Sequence, residues 1–417
     1  MDHFNYQQNI LHAEQVKISD IAEQIATPFY LYSSATFTRH FKVLSEALEL
    51  ENKLVCFAVK ACSNIHILKL LGSLGSGADV VSQGEIYRAL EAGIAANKIV
   101  FSGVGKSKEE INFALEHDIL QFNAESKEEL ALINECAAVL GKKAQLALRI
   151  NPDVAAKTHD KISTGKKGDK FGVDLDQAFA VIKYAQTLAH IDFSGVSVHI
   201  GSQITELDTF RQAFVKVCEF VKELEEQQII LKTIDFGGGL GVPYGAHDTI
   251  DPAHYGALIS ELVNKYAFQD KLIIFEPGRL IAANAGVLVT SIVLIKDVGH
   301  KKFAICDAAM NDLLRPALYG SAHEIVTVKE ANSSTENYDI VGPVCETSDV
   351  FHKDLALPEL KAGDLLVLRS AGAYGAVMSS EYNTRPLTPE ILVSDTQFKI
   401  IRKRPSYQQM LALETSD

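Results

Sequence analysis

Between residues 54 and 276, eight short apolar runs recur with helical stretches between them. They are 54–59, 77–82, 99–103, 120–123, 144–151, 193–200, 233–236 and 272–276. Each is rich in β-branched or aromatic residues and too short for a buried helix, so each predicts a buried strand. The intervening stretches carry helical signals, such as Ser126 as an N-cap. Ahead of the first run, Phe37, Phe41, Leu44 and Leu48 predict a helix over about 34–50. Eight strands alternating with helices predict a closed (β/α)8 TIM barrel.

The polar residues of these runs share a place. Lys60, Asp79, Asn123, Arg149, His199, the glycines after Phe236 and Glu276 all stand at carboxyl-terminal strand ends. That rim carries the active site in barrels of this kind. A chance scatter would put as many at the other end, so the placement predicts an enzyme.

Outside the barrel the rhythm changes. Phe29–Tyr32 predicts a short strand, and no clean helix is legible before Pro28. From about residue 280, runs at 287–296, 303–306, 324–329, 338–341, 365–368 and 398–402 predict strands with few helices between them. This is the pattern of an all-β domain, a β-sandwich or small β-barrel. The expected division is a barrel over 33–279, with 1–32 and 280–417 forming the β domain. The long charged connection from Val154 to Gly172 is expected to be a mobile lid over the barrel mouth.

A formal net charge of -13 opposes nucleic acid and anionic membrane surfaces as partners. No apolar run is long enough to span a bilayer, and the N-terminus lacks a basic region followed by an apolar stretch. The 6 cysteines form neither a CxxC pair nor a metal-ligand spacing. The expectation is a cytoplasmic protein with reduced thiols, no metal, no nucleic acid and no membrane.

Four motifs carry chemistry. Phe57-Ala58-Val59-Lys60-Ala61 ends an apolar strand on a lysine. Such lysines are often surface residues, but in apolar surroundings the amine turns nucleophilic and condenses with aldehydes. Gly237-Gly238-Gly239-Leu240-Gly241 lets backbone N–H groups face an anion, though glycine runs also serve as plain turns. Glu276-Pro277-Gly278-Arg279 offers a carboxylate for a ring nitrogen, or a structural Glu–Arg pair. His199, with Ser202 nearby, offers an imidazole to stack on a flat ring, or a satisfied structural residue. A lysine for an imine, an anion cradle, a carboxylate and a stacking ring together describe a pyridoxal phosphate site.

These segments resemble the fold-type III pyridoxal phosphate-dependent decarboxylases. The likeness runs through Val198-His199-Ile200-Gly201-Ser202-Gln203, Asp235 to Gly241 and Glu276 to Arg279. It continues through Arg315 to Gly320, Gly342 to Asp349 and Gly372-Ala373-Tyr374-Gly375, and so covers nearly the whole chain. Cys62 departs from it, standing where that family usually has asparagine.

The resemblance implies an alanine racemase-like fold and pyridoxal 5′-phosphate as cofactor. It implies that Lys60 binds the cofactor covalently, that Glu276 pairs with its ring nitrogen and that His199 stacks on its ring. Ser202, Gly238, Gly239, Glu276, Pro277, Gly278, Arg279 and Tyr374 would hold the cofactor. Arg279, Arg315, Tyr319, Glu346 and Tyr374 would bind the substrate. Cys345 would act as proton donor, reaching the partner's site in a homodimer with shared active sites. The implied reaction is decarboxylation of meso-2,6-diaminopimelate to L-lysine, the last step of lysine synthesis. Decarboxylation of ornithine or arginine is the alternative; their cationic tails call for a carboxylate where Arg315 offers a cation. An amino-acid racemase would place arginine, not Glu276, at the ring nitrogen. A non-catalytic binding homologue is the third alternative.

Overall fold

The strand that leads to Lys60 is one of eight parallel strands that close on themselves. The computed structural model describes residues 2–154, 170–244, 249–331 and 334–415. The expected lid segment therefore lies, over 155–169, outside the described residues. The chain forms two compact units, one of Met1–Arg39, Pro243–His247 and Ile281–Asp417, the other of His40–Val242 and Asp248–Leu280.

The second of these is the barrel. Its strands are β1 (Lys53–Ala58), β2 (Gly77–Val80), β3 (Ile99–Phe101) and β4 (Gln121–Ala124). They continue as β5 (Ala144–Asn151), β6 (Ile191–Ser197), β7 (Thr233–Asp235) and β8 (Leu272–Phe275). Closure comes from β8 pairing with β1, with Ile274 opposite Leu54. Parallel strands covered on both faces read as continuous apolar runs, which is why the sequence signal was strong. A two-residue strand, Val173–Asp174, adds to the edge of β5.

Helices follow the strands, and five of them are started by local side chains. Asn64, Ser82, Ser107, Ser126 and Asp251 each accept a backbone N–H at a helix N-terminus, and Ser107 with Glu110 forms a reciprocal capping box. The longest, Leu207–Glu226, buries Phe210, Phe214, Val217, Val221 and Leu224 along one face. Each helix thus spends its apolar stripe on the barrel wall and returns the chain to the amino end of the next strand. The polar strand ends all emerge on the other side.

The other unit is mostly sheet. Its strand path runs Val350–Pro358, Thr335–Val341, Lys302–Cys306, Gly286–Asp297, Phe29–Ser33, Glu390–Ser394 and Gln397–Arg402. Its core gathers Phe29, Leu31, Val287, Val289, Val367, Ile391 and Val393. Phe29–Ser33 belongs here because it pairs with both Gly286–Asp297 and Glu390–Ser394.

Three local expectations need correction. A helix, Ile18–Gln24, does precede Pro28; it is seven residues long and buries only Ile18 and Ile21, too little for a periodic signal. The first barrel strand stops at Ala58, and Lys60 sits on a 3-10 turn, Val59–Ala61. Strands Val350–Pro358 and Glu390–Ser394, and the small sheet Phe4–Gln7, Ile10–Ala13 and Val16–Lys17, were not anticipated. Among the described residues no helix is long and apolar enough to cross a membrane.

Candidate active site

The carboxyl ends of the strands surround a cavity of ≈ 200 Å³. Lys60, Ser102, Asn123, Arg149, His199 and Glu276 line it, each from a different strand end. The lysine amine forms an ion pair with Asp79 Oδ2. The Asp79 carboxylate is fully buried at the end of β2, while the Lys60 side chain is 34% exposed. This salt bridge holds the amine at the cavity wall.

Opposite lies a second acidic group. Glu276 follows β8, and Asp235 ends β7. Burial, with Asp235 and Asp79 close by, pushes the Glu276 carboxyl well above the ordinary carboxylate range. Burial likewise pushes Asp235 up to about 6. Asn123 Nδ2 lies 3.2 Å from Glu276 Oε1 and 3.1 Å from Asp235 Oδ2. Ser102 Oγ donates to Glu276 Oε1 at 3.3 Å.

His199 is kept neutral. Burial, then the positive charges of Arg149 and Lys60, hold its imidazole well below the usual range. The Gly238 N–H donates to His199 Nδ1 at 3.3 Å, which orients the ring. The glycines let the backbone close up at this point. A Cβ on Gly237 would stand 2.2 Å from Val198 O, and one on Gly238 would stand 2.2 Å from Glu276 O. Gly237 also needs φ of 65°, in the left-handed region.

A charged network frames one side. The Glu125 carboxylate accepts from Arg149 Nη1 at 3.0 Å, from Gly103 N at 3.1 Å and from Gly172 N at 2.9 Å. Arg149 also lies 4.9 Å over the Phe171 ring. Elsewhere on the rim, buried Arg279 donates to Ser202 Oγ at 3.0 Å.

The sheet unit carries the other expected residues. Arg315 is buried between the rings of Tyr244, at 5.6 Å, and Tyr319, at 5.5 Å, and it donates to Ser321 Oγ. Cys345 is the one exposed cysteine of the six. Its loop is built on Asp349, which accepts from Val344 N at 2.8 Å and Met310 N at 2.7 Å. A Cβ on Gly342 would stand 2.4 Å from that carboxylate. Glu346 is exposed beside Cys345, and Tyr374 holds φ of 55°, unusual for a bulky residue.

Residues 34–283 match the family model described as "Pyridoxal-dependent decarboxylase, pyridoxal binding domain". Over the full chain, diaminopimelate decarboxylase of Vibrio cholerae is 46% identical across 416 residues, covering 100% of this chain and 99% of that one. The diaminopimelate decarboxylase of Haemophilus influenzae is 47% identical across 418 residues, covering 100% of both. The chain belongs to the diaminopimelate decarboxylase family. Among solved structures, the M. jannaschii diaminopimelate decarboxylase in co-complex with L-lysine aligns with a TM-score of 0.95 at 37% identity, over 100% of this chain and 98% of that one. The Helicobacter pylori enzyme complexed with L-lysine aligns at 0.91 and 43% identity, over 95% and 98%. The fold is thus a TIM-like barrel with a mostly-sheet domain, as in those family members.

The donor set of this family member fits pyridoxal phosphate. An amine, a neutral ring and a protonatable carboxyl face one cavity. Around it, Asp79 Oδ1 and Ser197 Oγ are buried without a hydrogen-bond partner among the described residues. Sequence reasoning singled out Lys60, His199, Glu276, Asn123 and Arg149. It missed Ser102, Glu125 and the separate role of Asp235. A polar residue ending an apolar strand was the available signal for Asp235 and Ser102; nothing local marks Glu125.

Proposed function

We propose that the chain decarboxylates meso-2,6-diaminopimelate to L-lysine and carbon dioxide, with pyridoxal 5′-phosphate as cofactor. One observation carries the reading: Lys60, His199 and Glu276 converge on one cavity in a barrel whose full-length relatives are diaminopimelate decarboxylases. The L-lysine bound by two solved relatives is the product this reaction forms.

The bound cofactor supplies an electron sink for the charge left when the carboxylate departs. Lys60 anchors its aldehyde, and Asp79 holds the amine in line. Glu276 holds a proton at the ring nitrogen, so the sink stays positive as charge develops. Neutral His199 lends a flat face without a competing charge. Gly238, Gly239, Ser202, Pro277, Gly278, Arg279 and Tyr374 hold the phosphate. Arg315, with Tyr319, binds the distal carboxylate, and Glu346 the distal ammonium. Arg279 and Tyr374 also bind substrate. The partner subunit's Cys345 returns a proton to the α-carbon in a cytoplasmic homodimer.

The test is carbon dioxide release from meso-diaminopimelate, L-lysine, ornithine and arginine in parallel. Only the first is expected to react. Release from ornithine or arginine instead overturns the substrate assignment.

A further inference from the structure

The barrel interior holds a line of buried polar side chains that the reading above leaves unused. Thr233 Oγ1 donates to Gln121 Oε1 at 2.9 Å. Gln121 Nε2 donates to Asn123 Oδ1 at 2.8 Å. A flip of the Asn123 amide would set its nitrogen against Gln121 Nε2 and its oxygen against the oxygens of Asp235 and Glu276. Its Nδ2 faces Ser102 Oγ at 3.1 Å, Asp235 Oδ2 at 3.1 Å and Glu276 Oε1 at 3.2 Å.

Asp235 Oδ2 and Glu276 Oε1 are thereby held against one nitrogen. Two carboxylates in such contact cannot both be ionised cheaply; they share a proton. The donors show which one keeps it. Asp235 accepts on both oxygens, Oδ1 from Gly237 N at 2.8 Å and Oδ2 from Asn123. Glu276 takes its two, from Ser102 and Asn123, on Oε1 alone, so its other oxygen is the place for the proton. The other titratable groups around the pair are Asp79, Lys60, Arg149, Cys56, Tyr255 and His199. The cations among them already have carboxylate partners, Lys60 in Asp79 and Arg149 in Glu125.

We infer that Asp235 is a positioning residue that works with Glu276 as a one-proton pair, bridged by the Asn123 amide. When the cofactor binds, the proton leaves a Glu276 carboxyl oxygen for the ring nitrogen, and both carboxylates are then anionic against the cationic ring. The inference rests on pyridoxal phosphate being the cofactor, but the band expected of the cofactor-free protein does not.

That test is infrared titration of the protonated-carboxyl band in the full-length protein freed of cofactor, beside Glu276→Gln and Asp235→Asn. The wild type is expected to show, near pH 7, a band that Glu276→Gln lacks, and to lose it when pyridoxal phosphate is added. In Asp235→Asn the midpoint of the band should fall by about one pH unit or more, because a like charge is gone. A wild type without the band, a band that survives the cofactor, or an unmoved midpoint in Asp235→Asn overturns the pair. If Asp235→Asn does not fold, the wild type and Glu276→Gln still decide. A protein that releases carbon dioxide from meso-diaminopimelate yet lacks the band refutes the pair and leaves the function standing. A band in a protein inactive on every amino acid tried refutes the function and leaves the pair's proton in place.

Discussion

Lys60 and Asp79 meet as an ion pair across neighbouring strand ends of the barrel, with the aspartate fully buried and the lysine amine turned toward the cavity. They lie nineteen residues apart in the chain. The register of β1 with β2, Ala58 opposite Asp79, brings them together. The aspartate holds in place a lysine that would otherwise move freely on a four-carbon stem.

Lys60→Ala should remove covalent attachment of the cofactor. Borohydride reduction of the reconstituted variant should trap no adduct on the chain. Turnover should fall by at least about 10²–10⁴-fold, the range for losing a positioned acid–base group. A trapped adduct at another lysine would move the anchor elsewhere.

Glu276→Gln should bind the cofactor yet slow decarboxylation on the order of 10²–10³-fold, as the loss of one placed electrostatic group does. It should also change stability with pH in a stated direction. Burial raises the carboxyl in the folded state. The stability this contributes is full below the unfolded value of about 4.3 and is lost as pH rises through the folded value. The amide has no such loss. The melting temperature of cofactor-free Glu276→Gln should therefore gain on the wild type as pH rises above about 5. A constant difference across that window would refute the raised carboxyl.

Arg315→Ala should raise KM for meso-diaminopimelate more than it weakens the cofactor. A lost charge-assisted hydrogen bond costs roughly 1.5–3 kcal/mol, or about 10–100-fold. Burial between Tyr244 and Tyr319 keeps the guanidinium preorganised. Parallel loss of bound pyridoxal phosphate would make Arg315 a cofactor ligand instead.

Mixing Lys60→Ala with Cys345→Ala should restore activity that neither variant has alone. In a twofold dimer with shared sites, a heterodimer collects both lesions in one site and none in the other. Random exchange makes about half the dimers mixed, so roughly a quarter of wild-type activity should return. Mass-tagged mixtures that exchange subunits and stay inactive would put both residues in one chain's site.

The barrel was legible because its signals are local. Strands buried on both faces must be apolar throughout, and a polar residue closing such a run stands out, as Lys60, His199 and Glu276 do. Elements with weak local signals were not legible. Val350–Pro358 is interrupted by His352, Lys353 and Asp354, and Glu390–Ser394 offers three apolar residues behind Pro386 and Pro389.

The partners of those polar residues were decided by tertiary structure alone. Asn123 bonds to Ser102, Asp235 and Glu276, which lie 21, 112 and 153 residues away. No periodicity within one strand encodes such pairs. They exist because eight strands close in one register, and closure sets polar ends from distant stretches within hydrogen-bond reach in a space that excludes water. The residue types at the rim could be read along the chain. Which carboxyl keeps a proton, and which amine an aspartate holds, depends on burial and on distances that exist only once the barrel is shut.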